Sequence, residues 1–178
     1  MIKLEEKQGE VGFNMRRKVV YFCFTMFLLL AITGCSTSDD TSEDIFQYKD
    51  SLVGDNSAVG SIISQLPFEK YYQEFALKTK EEPYGILLKY DINAESPALN
   101  DENMKELALC NSAYLFTLVK NVEWVQYDFG NQKLKVNKKE LQKWYGKELS
   151  SIPSEKDLKK LLQERLSDKN EITQYFEK

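Results

Sequence analysis

Residues 101–119 read DENMKELALCNSAYLFTLV, and the spacing of their apolar positions governs the fold class of everything around them. Met104, Leu107, Leu109, Ala113, Leu115, Phe116 and Leu118, with Ala108, Cys110, Tyr114 and Val119, reach most of the circumference of a 3.6-residue helix. The spacing therefore predicts a helix that is buried on most sides, not one laid on a surface. Such a helix needs a sheet and other helices to cover it, and the flanking segments have the patterns to provide them.

Towards the N-terminus, Phe75 and Leu77 alternate with Glu74, Ala76 and Lys78. The polar stretch Lys80-Glu81-Glu82-Pro83 follows, and Tyr84, Ile86, Leu88 and Tyr90 alternate again, which predicts a hairpin. Towards the C-terminus, Val125, Tyr127 and Phe129 share one face of a strand and Val122 and Trp124 the other. Gly130-Asn131 then predicts a tight turn into a strand over 133–136.

Further out, where the domain begins near Ile45, the alternation of Phe46 and Tyr48 with Gln47 and Lys49 predicts a short edge strand. Asp55-Asn56-Ser57 is a helix start ahead of Val59, Ile62, Ile63 and Leu66, and Pro67 closes the run, so a helix is expected over 57–66. Residues 93–103 read as a polar loop. Asn137 is expected to cap a short helix closed by Gly146, and Ser154 with Asp157 to open a last helix striped by Leu158, Leu161, Leu162 and Leu166. Helices and hairpins are interspersed without regular strand-helix-strand alternation. The expected class is α+β, an antiparallel sheet of about four strands with helices packed on one face.

Ahead of the domain lies an export pattern. Arg16, Arg17 and Lys18 precede the uncharged run 19–32, which at 14 residues falls short of the roughly 20 that a membrane-spanning helix needs. Ile32-Thr33-Gly34-Cys35 follows at once and resembles the lipobox of bacterial lipoprotein precursors. That resemblance implies cleavage between Gly34 and Cys35 and a diacylglycerol on the Cys35 sulfur, so membrane lipid is the first expected partner. The competing reading is an ordinary signal peptide in which Cys35 is incidental. On the lipoprotein reading, residues 1–14 are a mis-assigned leader with Met15 the true start, and 15–34 are the signal peptide. Residues 35–44 are then a lipidated Cys with a flexible acidic tether, and 45–178 the globular domain, held at the extracytoplasmic face of the cell membrane.

Composition narrows the function classes. The chain has 178 residues, 42% of them hydrophobic and 12% aromatic, enough for one sizeable core. The first 34 residues hold five Lys or Arg and three Asp or Glu, which leaves 19 basic against 25 acidic residues beyond them, a net charge of −6. An acidic domain without a basic stripe argues against nucleic acid as a partner. There is no His, which removes the usual general base at neutral pH and the commonest transition-metal ligand, so neither a metal nor a cofactor is expected. Of the three cysteines, Cys23 lies in the apolar export run, Cys35 in the lipobox and Cys110 in the most apolar helix. No intramolecular disulfide framework remains.

Three segments carry a family resemblance: residues 46–57, FQYKDSLVGDNS; Glu82-Pro83-Tyr84-Gly85; and residues 111–122, NSAYLFTLVKNV. Together they resemble the bacterial family catalogued as domain of unknown function 4825, over nearly all of the exported domain. The resemblance implies a small lipoprotein of Gram-positive bacteria. It also implies a sensing role, since the domain occurs attached to membrane metallopeptidases of the antibiotic-sensing type. No catalytic residues are assigned to that family, so it implies none here.

Candidate ligand-binding residues are Gly54, Asp55, Asn56, Ser57, Tyr84 and Trp124. Gly54 to Ser57 could line a pocket, but the same residue types are what the orphan amides of a helix start require. Trp124 is either an exposed aromatic for partner binding or part of a second covered sheet face. Cys110 is expected to be buried and inert. Glu81-Glu82 and Asp39-Asp40 are expected to be solvated, since an acid-base dyad needs one carboxylate in an apolar setting, and Lys138-Lys139 to face solvent. The leading expectation is a non-enzymatic binding or sensing module with a membrane-protein or envelope partner. The alternatives are a carboxylate-dependent hydrolase of a cell-envelope polymer and a purely structural envelope lipoprotein.

Overall fold

In the computed structural model the described residues are 44–91 and 100–177. The residues expected to form the leader, the signal peptide with Gly34, and the tether from Cys35 lie outside them, Asp44 excepted, as does most of the loop expected before Asp101. The described residues form one unit, built from strands β1 (Tyr72–Lys78), β2 (Gly85–Tyr90), β3 (Trp124–Asp128) and β4 (Lys133–Asn137). Five helices accompany them: α1 (Asn56–Ile63), α2 (Asp101–Leu118), α3 (Lys138–Tyr145), α4 (Glu155–Arg165) and α5 (Lys169–Phe176). Among the described residues no helix is long and apolar enough to cross a membrane.

Helix α2 is the core. The Asn100 side chain accepts from Asn103 N at 2.8 Å and opens the helix. Asp101 and Glu102 then sit at its positive end, with Asp101 also bridged to Lys105 at 2.9 Å. From Leu107 onward every residue except Cys110 is buried, Asn111, Ser112 and Thr117 included. These three have interior partners: Asn111 Nδ2 donates to Pro67 O and Tyr90 Oη, Ser112 Oγ pairs with Tyr127 Oη at 2.9 Å, and Thr117 Oγ1 donates to Ala113 O.

The four strands lie in the order β1-β2-β3-β4. Both hairpins are antiparallel as expected, but β2 and β3 pair in parallel, so the sheet is mixed and not purely antiparallel. The reason is connection length: α2 carries the chain from the end of β2 back to the end at which β2 began, and β3 must then run the same way. One face of the sheet is covered by helices through the rows Leu77-Ile86-Val125-Val136 and Phe75-Leu88-Tyr127-Leu134. The opposite face is open and bears three rows, Glu74-Lys89-Asp128-Lys133, Ala76-Leu87-Gln126-Lys135 and Lys78-Gly85-Trp124-Asn137.

Several local expectations change. Ile45–Tyr48 is a 3₁₀ turn instead of an edge strand, because the Asp44 side chain accepts from Phe46 N at 3.0 Å and winds the chain. The strand-like contact falls later, where Ser51 bridges Val119 in parallel. The first helix starts at Asn56 and ends at Ile63, with looser turns carrying the chain to Pro67. Asn137 sits at the cap position of α3, but its side chain donates to Glu140 Oε2 at 3.2 Å and accepts from no helix amide. Gly146 closes that helix at φ 68. Ser154 caps α4 through Asp157 N at 3.2 Å, and α5 follows it as an additional helix capped by Asp168.

Candidate functional site

The three segments that carry the family resemblance meet at one end of the sheet. Lys120 N donates to Ser51 O at 2.8 Å, and Val53 N to Asn121 Oδ1 at 2.8 Å, so the segment before α1 is tied to the exit of α2. Glu123 N donates to Tyr84 O at 2.9 Å, and Trp124 Nε1 to Pro83 O at 2.8 Å, tying the β1–β2 turn to the start of β3. The Glu82–Pro83 peptide bond is cis.

Trp124 lies on the open face, flat against β2. A Cβ placed on Gly85, its cross-strand partner, would fall 2.1 Å from the indole ring, so no side chain fits beneath it. Lys135 Nζ stands 4.6 Å from the centre of the ring, within cation-π range. Among the described residues no element covers the second sheet face, and Trp124 belongs to it as an anchored, half-buried aromatic.

Beside Trp124 is a cleft of about 500 Å³ lined by Glu82, Pro83, Tyr84, Asn121, Glu123 and Lys139. Two carboxylates face one ammonium there. Below it Lys138, expected on a solvent face, is buried: its Nζ donates to Lys120 O at 3.0 Å, and burial lowers its pKa against the opposing pull of Glu123 and Glu148. The β-strand alternation ahead of α3 turns Lys138 inward and Lys139 outward, a signal legible in the sequence once the strand is extended to Asn137.

Gly54, Asp55, Asn56 and Ser57 are all exposed and do not line the cleft. Asp55 Oδ1 accepts from Ala58 N at 3.0 Å and opens α1, so its carboxylate serves the helix start. Of the candidate residues, Tyr84 lines the cleft and Trp124 adjoins it. Asn121, Glu123 and Lys139 are additions that single-residue reading misses, since each looks like ordinary loop or helix surface until the segments converge.

Two described carboxylates are shifted, both downward. Asp101 is lowered by hydrogen bonds from Lys105 and Gln132, and Asp128 by the Gly130 amide and Lys133. Glu81 and Glu82 are exposed in the turn. Burial pushes the Cys110 thiol up to about 12, with Glu106 adding to the shift, which makes it a poor nucleophile at neutral pH. Among the described residues no group of three or more His, Cys, Asp or Glu could hold a metal.

A second cleft, of about 540 Å³, lies where α3 and α5 meet. Trp144 stands edge-on to Tyr175 at 5.9 Å, and Arg165 pairs with Glu171 at 3.6 Å on its wall. Two of its charges, Arg165 and Glu171, are matched to each other, and all of its lining lies outside the three segments.

Residues 45–142 match the family model described as Domain of unknown function (DUF4825). The match covers more than half of the chain and includes all three converging segments, but it stops short of α4 and α5. No curated protein and no solved structure matches.

Proposed function

The chain belongs to the DUF4825 family, and on that premise we propose that it is a lipid-anchored, extracytoplasmic, non-enzymatic binding or sensing module. The observation that carries the reading is that two of the family segments, 82–85 and 111–122, line one solvent-open cleft together with Glu123 and Lys139, while the third is hydrogen-bonded to Lys120 and Asn121 beside it. A cleft with two carboxylates and one ammonium, walled by Tyr84 and Pro83, favours a partner group that is cationic or rich in hydrogen-bond donors. The anchor rests on the basic, apolar and lipobox pattern ending at Cys35. The hydrolase alternative is weakened because a general acid needs a carboxyl raised by an apolar setting, and the carboxyls that do move, Asp101 and Asp128, move downward.

Two measurements test this. Mass spectrometry of the native N-terminus should find a diacylglyceryl group on Cys35, and Cys35→Ser should release the protein from the membrane fraction. A photocrosslinking residue at position 84 should give one discrete adduct in intact cells, lost on Glu123→Lys and absent when the probe is moved to exposed Lys160. Turnover of a cell-wall polymer by the purified protein would refute the binding reading.

A further inference from the structure

We propose that β1 is a self-complementary edge through which two copies of this chain join their sheets into one of eight strands. β1 is an outer strand, and among the described residues the backbone from Glu74 to Lys78 hydrogen-bonds to no segment but β2. One side of its amides and carbonyls is thus left to pair with another strand. An irregularity between Tyr72 and Glu74 breaks the pairing register there, so the regular edge runs from Glu74 to Lys78, and its centre is Ala76.

Antiparallel pairing about a twofold axis at Ala76 places Glu74 opposite the second copy's Lys78, Phe75 opposite its Leu77, and Ala76 opposite its Ala76. Opposite-charge pairs then fall on the open face and apolar pairs on the covered face, where Phe75 and Leu77 are left only half-buried. The charge order carries the argument furthest. Across each sheet the row runs Lys133, Asp128, Lys89, Glu74, with Lys133 and Asp128 at 3.1 Å and Lys89 and Glu74 at 3.3 Å. The second copy's Lys78 comes next, so the alternation of sign continues unbroken across the junction. Shifting the register by one residue would set open-face side chains against covered-face ones.

The pairing is independent of the cleft and of the lipid anchor, and its test uses neither. Ala76→Cys in the full chain, treated with a short bis-maleimide, should give a covalent species at twice the 20.7 kDa of the chain. Lys135→Cys, which keeps the three native cysteines and sits on the opposite edge strand, should not. Adding Lys78→Glu to Ala76→Cys sets Glu against Glu74 twice and should cut the yield roughly tenfold, as should adding Glu74→Lys. Mixing those two variants restores both opposite-charge pairs and should return the yield as a heterodimer. Equal yields from the Ala76→Cys and Lys135→Cys proteins, or a yield indifferent to the charge changes, would overturn the proposal.

Discussion

Gly85→Ala would put a methyl group where the Trp124 ring now lies, and the ring has no slack, since its Nε1 is tied to Pro83 O. The expected cost is about 1–3 kcal/mol, seen as a lowered melting temperature together with red-shifted tryptophan emission as the indole lifts into water. Unchanged emission would mean that the contact is not made in solution. Asp128 is the second informative residue. Its pKa is depressed by the Gly130 amide and Lys133, so the stability it contributes is present above its unfolded value of about 4 and is lost as pH falls through the folded value. Asp128→Asn should lower stability at neutral pH and flatten the acid limb of the stability curve, as read by urea unfolding at several pH values. Both residues are visible in the sequence only as letters: the Gly of Glu82-Pro83-Tyr84-Gly85 and the acid before Phe129-Gly130. Their roles depend on a partner strand, and the pairing that decides which residue faces which is a tertiary fact.

Elements whose formation is local are the legible ones. The two hairpins follow from period-two alternation around turn residues, and α2 from apolar positions all round its circumference, because each pattern is set by neighbours within a few residues. The pairing of β2 with β3 does not follow from alternation, although an 18-residue helix between two strands is itself a signal for parallel neighbours. Helix α5 also escapes a reading by apolar stripe. Its sign is Asp168 with Glu171 three residues on, and Asp168 Oδ1 accepts from Asn170 N at 2.9 Å and Glu171 N at 3.2 Å. Asp168→Ala should cost about 1 kcal/mol and speed amide hydrogen exchange in α5 while leaving the hairpins protected; uniform loss of protection would show that α5 is not a separable element.

At the scale of the whole molecule, the core is rich in buried phenols. Burial pushes Tyr90 up to about 12, against a partial offset from the Asn111 amide, and holds Tyr127 and Tyr145 well above the ordinary value. A pKa raised in the folded state gives stability that is intact below about pH 10 and is lost as pH rises towards the folded values. Alkaline unfolding should therefore be abrupt, with ellipticity and tyrosinate absorbance changing together for these buried rings. Ionisation of the buried phenols while the ellipticity holds would contradict the packing. Candidate-site reading is weakest at this scale, because the cleft is assembled from segments that lie as far apart in the chain as Glu82 and Lys139.

The parallel join of β2 to β3 bears on how the polypeptide is made. As the chain emerges N-terminus first, β1 and β2 can zip together at once, but the neighbour that seals the far side of β2 arrives only after α2 has followed it out. For that interval Ile86 and Leu88 lack the strand that later flanks them on the β3 side, and the nascent hairpin must be kept from pairing with another of its kind until residue 128 has cleared the exit.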